Sequence, residues 1–323
     1  MEQLLAGLRA CAEPTRLRLL ALSGCGTFCV MDFCDILGQS QPRLSRHLRL
    51  LCDAGLLERT REGANAWFAL PPAHTEAGSL VRALLARLPA EESTLASDRR
   101  QAARVLAERA RAASETFRRK GADWDEMRAL GLPAAAVEQA VLDLLPAEPS
   151  GRLLDIGTGT GRLLELCAPR VESGLGIDAS PAMLALARTR LAKPGLSHVT
   201  VRLGDMYRMP LPDTAFAIVV LQMVLHYAED PAAALAEAAR VLGREGLLIV
   251  VELAAHDDHE TAKRLAHRWL GFDDRRMGGL LQAAGLVPRA VRTIPGPFAI
   301  SLWTAVRSLS VVPTDALAVE FAP

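Results

Sequence analysis

The stretch Leu153–Gly161 reads LLDIGTGTG, and its reading decides the fold. Leu153 and Leu154 lead into Asp155, and glycines then fall at 157, 159 and 161. An apolar run that breaks into glycines is a buried strand ending in a tight turn. Glycine is needed where the backbone approaches a ligand closely or takes positive φ. The helix that follows from Arg162 presents its amide-rich N-terminus to the same ligand. Alone, the spacing also fits an ordinary strand-turn-helix; the flanking sequence narrows it.

Downstream, helix and strand signals alternate. Strands are expected at Arg152–Ile156, Gly174–Ile177, Val199–Leu203, Ala215–Leu221 and Leu247–Glu252. Helices are expected at Val137–Leu145, Leu163–Cys167, Pro181–Leu191 (Ser180 as N-cap), Pro231–Val241 and Met277–Ala284. Two more strands fall near Val287–Thr293 and Ile300–Ala305. Leu247–Glu252 is nearly continuous in apolar residues, as a sheet covered on both faces requires. The fold class is α/β, an open doubly wound sheet with ligand at the carboxyl ends of its strands.

The glycine pattern separates ligand classes. A dinucleotide fold wants G-x-G-x-x-G, which would place glycine at 162; here Arg162 stands, and the run is G-x-G-x-G. With Asp178, Gly204-Asp205-Met206 and DTAFAIVVLQMVLHYAEDPAAALAEAARVL (213–242), this region resembles class I S-adenosylmethionine-dependent methyltransferases. The resemblance implies S-adenosylmethionine or S-adenosylhomocysteine as cofactor. It implies that Asp155, Gly157, Thr158, Gly159 and Gly161 meet the methionine half. Asp178, with Ala179 and Met183 beside it, would serve the ribose hydroxyls. Asp205 and Met206 would border the adenine, and Gln222 and His226 would line the reaction side. A carboxylate suits two vicinal hydroxyls, and a thioether suits a purine face. His226 is the nearest candidate for a catalytic base. An Asp/Asn-Pro-Pro-aromatic motif of base-amino methylation is missing: that place reads Leu221-Gln-Met-Val224. Arsenite methylation needs several cysteines, and this region has only Cys167.

Upstream, helical periodicity begins at Leu4, Leu5 and Leu8 and resumes at Leu17–Leu22, with Pro14 in a first turn. A short helix carries Val30, Phe33, Ile36 and Leu37 and closes at Gly38. Ser40 is the expected N-cap of the next helix, which turns Leu44, Leu48 and Leu51 inward. Leu56–Thr60 and Ala66–Leu70 flank Arg61-Glu-Gly-Ala-Asn65 as a β-hairpin. EPTRLRLLALS (13–23) and LGQSQPRLSRHLRLLCDAGLLERTREG (37–63) resemble ArsR-type winged helix-turn-helix repressors. The resemblance implies a double-stranded DNA operator, with Ser40, Gln41, Arg43, Ser45, Arg46 and His47 reading the major groove and Arg61 on the wing. Metal-sensing members carry Cys-x-Cys where this chain reads Cys29-Val-Met31. Cys25, Cys29 and Cys34 make no clean soft-metal set, so no metal site is expected.

Between the two lies a helical region. Thr75–Leu88 and Ser93–Lys120 carry apolar stripes, the second through Ala102, Val105, Leu106, Ala110 and Phe117, before Trp124 and Met127. In the resembled family such helices pair two protomers, which implies a homodimer; docking on the chain's own domains is the alternative. The organisation is 1–72 winged helix, 73–130 helical linker or dimerisation region, 131–307 methyltransferase-like domain and 308–323 tail.

Composition fits this reading. Half of the 323 residues are hydrophobic and the formal charge is zero. Residues 1–130 hold 19 basic and 16 acidic side chains against 18 and 21 in the rest, which permits nucleic-acid contact without arguing for it. No apolar stretch has a membrane span's length, and the N-terminus lacks a signal peptide's pattern, so a cytoplasmic protein off the membrane with reduced cysteines is expected. His256, Asp257, Asp258, His259 and His267 read as a solvated helix start more readily than a metal site. Trp269 and Phe272 are candidates for a lid.

Fusions of these two modules resemble regulators of methionine-cycle genes. The expectation is a DNA-binding regulator with S-adenosylmethionine or S-adenosylhomocysteine as effector. The alternatives are an active small-molecule methyltransferase using the winged helix for dimerisation or substrate binding, and a thiol sensor using Cys29.

Overall fold

The structure is a computed structural model that describes residues 2–62, 65–73, 75–89, 92–119 and 130–307. The expectations for the hairpin tip Gly63-Ala64, for Trp124 and Met127 and for the tail 308–323 lie outside the described residues, as do the side chains of Ala110 and Phe117.

The first unit runs α1 (Glu2–Cys11), α2 (Pro14–Ser23), β1 (Phe28–Cys29), α3 (Val30–Leu37), α4 (Gln41–Asp53), β2 (Glu58–Glu62) and β3 (Asn65–Ala69). Pro14 opens α2, whose N-cap Glu13 accepts from the Arg16 amide at 2.8 Å. Gly38, in the left-handed region, closes α3. Ser40 caps α4 by position, but its side chain accepts no capping bond; Pro42 in the first turn has no N–H to give. The strands form a small antiparallel sheet in the order β1-β3-β2. Leu19, Leu20, Phe28, Phe33, Leu44, Leu48 and Phe68 fill the core. The hairpin starts two residues later than its apolar text indicates. Leu56 and Leu57 are buried in this core, and the ladder begins at Glu58. The two-residue β1 is too short to carry a period of its own.

Two helices follow, α5 (Glu76–Leu85) and α6 (Ser93–Arg119). The second unit then runs α7 (Ala134–Asp143), β4 (Arg152–Ile156), α8 (Arg162–Cys167), β5 (Ser173–Asp178), α9 (Pro181–Leu191), β6 (Val199–Leu203), β7 (Phe216–Gln222), α10 (Pro231–Val241), β8 (Leu242–Leu253), α11 (His259–Arg264), α12 (Asp274–Ala283), β9 (Leu286–Ile294) and β10 (Ile300–Arg307).

Its sheet has the order β6-β5-β4-β7-β8-β10-β9. β6 to β8 are parallel; β10 pairs antiparallel with both β8 and β9. Alternate side chains build a core on each face: Leu153, Ile218, Val220 and Val251 on one, Leu154, Ile156, Val219 and Val250 on the other. Strand order reverses at β4, which has β5 on one side and β7 on the other. That reversal opens a crevice at the carboxyl end of β4, where LLDIGTGTG turns.

The described part of α6 folds back on its own chain. It packs along α9 of the sheet domain and against α2 and α3 of the first unit. Arg18 on α2 grips Asp98 on α6 with two bonds of 2.6 and 2.7 Å. No described helix is long and apolar enough to cross a membrane.

Candidate functional site at the carboxyl end of the sheet

The glycine loop is built by three positive backbone angles: Gly157 at φ 74°, Gly159 at 53° and Gly161 at 72°. A Cβ on Gly157 would stand 2.5 Å from Val224 Cγ2, so the loop closes against the turn after β7 only because that atom is missing. A Cβ on Gly159 would meet nothing nearer than the Gly157 carbonyl at 4.0 Å, so backbone faces open space there. The Gly157 and Thr158 amides donate to the Ile177 carbonyl at 2.8 and 3.0 Å, tying the loop to β5.

Two carboxylates flank this loop. Asp155 is 2% exposed and accepts from the Thr158 hydroxyl at 2.6 Å. Burial, reinforced by nearby Asp178, lifts its pKa to about 7. Asp178 ends β5 and accepts from the Gly159 amide on one oxygen and from the Ser180 amide on the other, both at 2.8 Å. Burial raises its pKa while these two amides oppose the rise. Ala179 and Met183 follow; the Met183 amide donates to Ser180 Oγ at 3.3 Å, the cap of α9. Asp205 and Met206 lie in the loop after β6. Asp205 is exposed and receives the Tyr207 amide at 3.0 Å, while Met206 packs on the second core. Gln222 ends β7, and its Oε1 is buried with no partner among the described residues. Apart from Met183, in the first turn of α9, every residue named for the cofactor falls at carboxyl ends of β4 to β7 or in the loops that follow them.

Arg162, which displaced the dinucleotide reading, is held by Glu138 on α7, with bonds of 2.8 and 2.9 Å.

The facing wall is organised by Glu252, which the sequence reading did not single out. Its Oε1 accepts from the amides of Val224, Leu225 and His226 at 2.8, 2.6 and 3.3 Å. Its Oε2 lies 2.7 Å from His226 Nδ1. Both side chains are completely buried. His226, expected as a base lining the reaction side, therefore has a ring with no exposed surface and a buried carboxylate beside its Nδ1. The signal for Glu252 was present, since it is a lone acid at the end of an apolar strand, and such a group needs buried donors. Exposed Tyr227 stacks on His226 at 4.2 Å between centroids, and His267 at 4.3 Å. Tyr207 Oη accepts from the Glu229 amide at 2.7 Å and joins the β6 loop to this wall. Trp269 Nε1 donates to the Ala228 carbonyl at 2.7 Å, so it packs beneath the wall rather than standing free as a lid. Asp258 caps α11 through the Thr261 amide at 2.9 Å.

On the first unit, Ser40, Gln41, Arg43 and Arg46 are exposed and Ser45 is half-buried on α4. His47 departs from the expected set: its side chain is 15% exposed and turned toward Glu13, 3.6 Å away. Arg61 is exposed. On β2 burial alternates, with Arg59 and Arg61 outward and Glu58, Thr60 and Glu62 on the other face. Cys29 is 8% exposed, and burial raises its thiol pKa despite Arg109 nearby, which disfavours the thiolate a sensor needs. Met31 is exposed.

That inner face of the wing touches the sheet domain. Glu62 accepts two bonds of 2.8 Å from Arg188 Nη2 on α9 and one of 2.9 Å from the Leu203 amide at the end of β6. The Arg188–Glu62 pair is almost fully buried, and the Arg188 guanidinium stacks 3.6 Å from the centre of Trp67 on β3. Arg109 of α6 stacks on the same ring at 4.8 Å and pairs with Asp32. The contact was invisible in the sequence because Glu62 and Arg188 are far apart and neither forms a motif.

Comparison with known proteins agrees with this architecture. Residues 154–250 match a methyltransferase-domain family and residues 13–59 match the bacterial regulatory protein arsR family. Demethylmenaquinone methyltransferase of Thermus thermophilus is 30% identical over 175 residues, covering 53% of this chain and 79% of that protein. An uncharacterized 37.1 kDa transposon TN4556 protein of Streptomyces fradiae is 40% identical over 122 residues, covering 37% of this chain and 35% of that one. A solved S-adenosylmethionine-dependent methyltransferase from Aquifex aeolicus aligns with TM-score 0.47 and 21% identity over 57% of this chain and 98% of its own. The fold and site define a Rossmann-like methyltransferase-type domain. The chain belongs to that methyltransferase family and carries an arsR-family helix-turn-helix domain ahead of it. It spans between 35% and 60% of the length of several curated relatives. A domain of this kind implies binding of S-adenosylmethionine or S-adenosylhomocysteine. The open backbone at Gly159 and the partnerless Gln222 acceptor suit such a group.

Proposed function

We propose that this chain is a DNA-binding transcriptional regulator whose methyltransferase-type domain binds S-adenosylmethionine or S-adenosylhomocysteine as its signal. The observation that carries the reading is the Glu62 joint. One carboxylate on the wing grips α9, which begins beside Asp178, and β6, which ends beside Asp205. Those are the two elements whose ends would hold the ribose and the adenine. A ligand that draws them together acts directly on the strand that bears Arg59 and Arg61. Such coupling requires different ligand affinities in two states of the protein.

In this reading Asp178 takes the ribose hydroxyls, Asp205 and Met206 border the adenine, and the glycine loop with Asp155 and Gln222 receives the amino-acid end. The cofactor when bound supplies an activated methyl group or, as its product form, none. His226 positions the wall through Glu252 and is not the base. Ser40, Gln41, Arg43, Ser45 and Arg46 face the operator, with His47 supporting α4. Leu4, Leu5 and Leu8, each more than 40% exposed along α1, offer an apolar stripe to a second copy. A homodimer sets two recognition helices about one DNA turn apart. The genes controlled would be those of the methionine cycle, whose methyl donor and by-product these ligands are.

The test is operator binding by fluorescence anisotropy, with DNA selected from a random pool, in the absence and presence of each cofactor form. About a fivefold or larger change in DNA affinity is expected. Glu62→Gln is expected to bind DNA and cofactor separately while the response shrinks below about twofold. DNA affinity indifferent to both forms sinks the sensor reading. The second reading, an active small-molecule methyltransferase, draws on the relatives named for that activity and on Tyr227, an exposed side chain on the wall after β7. Transfer of labelled methyl to a panel of small acceptors would favour it.

A further inference from the structure

A second concave site lies at the other end of the sheet, walled by both units. It is a cavity of about 200 Å³ where the wing strand β2, helix α5 and the start of β4 meet the edge strand β6. A water molecule in liquid occupies about 30 Å³, so there is room for a small organic ion. Arg152 opens β4 and Asp155 lies three residues on, so the two sites are about 10 Å apart along one strand and at opposite ends of it.

The lining is unusual in its charge. Arg152 places its guanidinium 4.9 Å from the centre of the Phe216 ring. Its Nε is buried and has no partner among the described residues. Arg82 reaches in from α5 and donates to three carbonyls, of Pro71, Gly78 and Ser197, at 2.7, 3.1 and 3.2 Å. It has no carboxylate partner among the described residues, and burial lowers its pKa. The third guanidinium, Arg202, is held by Glu58 at 2.8 Å, and among the described residues that carboxylate is the only acid on the cavity's lining. Three guanidiniums against one acid leave net positive charge in a half-enclosed space. Carbonyls orient a guanidinium without neutralising it. Arginine does not escape by losing its proton, so the missing counter-charge has to come from solution. The planar N–H fork fits an oxyanion by two parallel bonds.

We propose that this cavity binds a small dianionic oxyanion, a phosphate group free or as a monoester, between Arg82, Arg152 and Arg202. Bound there, it bridges α5 and the sheet beside Glu58 of the wing. It is a second ligand site, separate from the glycine loop.

The experiment is thermal unfolding of the full chain in inorganic phosphate, in glycerol phosphate and in chloride at matched ionic strength. Millimolar phosphate or phosphate monoester is expected to raise Tm by about 3 °C over chloride. Two variants test the assignment. Arg152→Gln removes the unpaired guanidinium. Thr200→Asp, on the cavity-facing side of β6 with Arg202, supplies an internal acid while keeping all three arginines. Both are expected to unfold at the same temperature in phosphate and chloride, with near-ultraviolet circular dichroism marking each as folded. A rise with the monoester alone assigns the site to an organic phosphate; a rise with both assigns it to the phosphate group itself. No rise over chloride in the wild type, or an equal rise in folded variants, overturns the proposal. The readout involves neither DNA nor the methyl-donor cofactor, so it stands or falls apart from the sensor reading.

Discussion

Asp178 and Glu252 stand at carboxyl ends of two strands of one sheet, and each holds backbone amides in the loop beside it. Glu252 is fully buried and takes four donors: three amides and the His226 ring. Asp178 is partly exposed and takes two, one on each oxygen. An ionised carboxylate has about four acceptor positions. Glu252 has used its complement and braces the 224–226 turn. Asp178 has shaped the glycine loop and still has capacity for two hydroxyls. In the proposed reading, spare acceptor capacity at an accessible edge separates a carboxylate that receives a ligand from one that builds the wall.

The sharpest way to break this comparison is Glu252→Ala. It removes, in the buried interior, the carboxylate that the amides of Val224 and Leu225 and the His226 ring meet. Removing one member of a buried charged network costs about 3–5 kcal/mol, and urea unfolding should register a loss of that size. A loss under about 1 kcal/mol would mean that the turn is held elsewhere and that the contrast fails.

Asp178→Asn is the matching change on the open side. The amide retains one acceptor oxygen for a loop N–H and loses the charge that favours ribose hydroxyls. Affinity for S-adenosylhomocysteine, measured by calorimetry, should fall between about tenfold and a hundredfold, or about 1.4–2.7 kcal/mol. Stability should change by less than about 1 kcal/mol. Unchanged affinity with a large loss of stability would make Asp178 a second Glu252.

The two walls were unequally legible in the sequence. The turn at the glycine loop was visible because positive backbone angles demand glycine at fixed spacing, and Asp178, Asp205 and Gln222 were named through the family resemblance. Strand limits at Arg152–Ile156 and Val199–Leu203 emerged as expected, since apolar runs with turn residues at both ends leave little choice. The brace formed by Glu252 was not foreseen. His226 drew attention because histidine is chemically versatile, while its contact with Glu252, a residue 26 positions away, is one that only strand pairing brings about. The same holds for Glu62, whose partner Arg188 lies 126 positions on. The antiparallel β9–β10 pair shows in the sequence only as two more apolar strands, because direction within a sheet is set by connections and not by composition.

Asp155 sharpens the comparison, since it belongs to neither type. It is buried like Glu252 yet takes a single donor among the described residues, the Thr158 hydroxyl, and burial lifts its pKa to about 7 from an ordinary 3.8. Between those two values the folded chain holds a proton that the unfolded chain has released. Stability therefore falls as pH rises through that window, and is constant in this contribution above it. Asp155→Asn keeps the shape and an acceptor for Thr158 but cannot ionise. Urea unfolding of both proteins should show the wild type losing about 1 kcal/mol relative to the variant between pH 6 and 7. Parallel pH profiles would mean that Asp155 is already ionised in the empty site and solvated as Asp178 is. The expected divergence means instead that the glycine loop closes over an under-satisfied acid, which a cationic amino-acid end of a ligand would relieve. Loop order and ligand binding would then be linked through one proton.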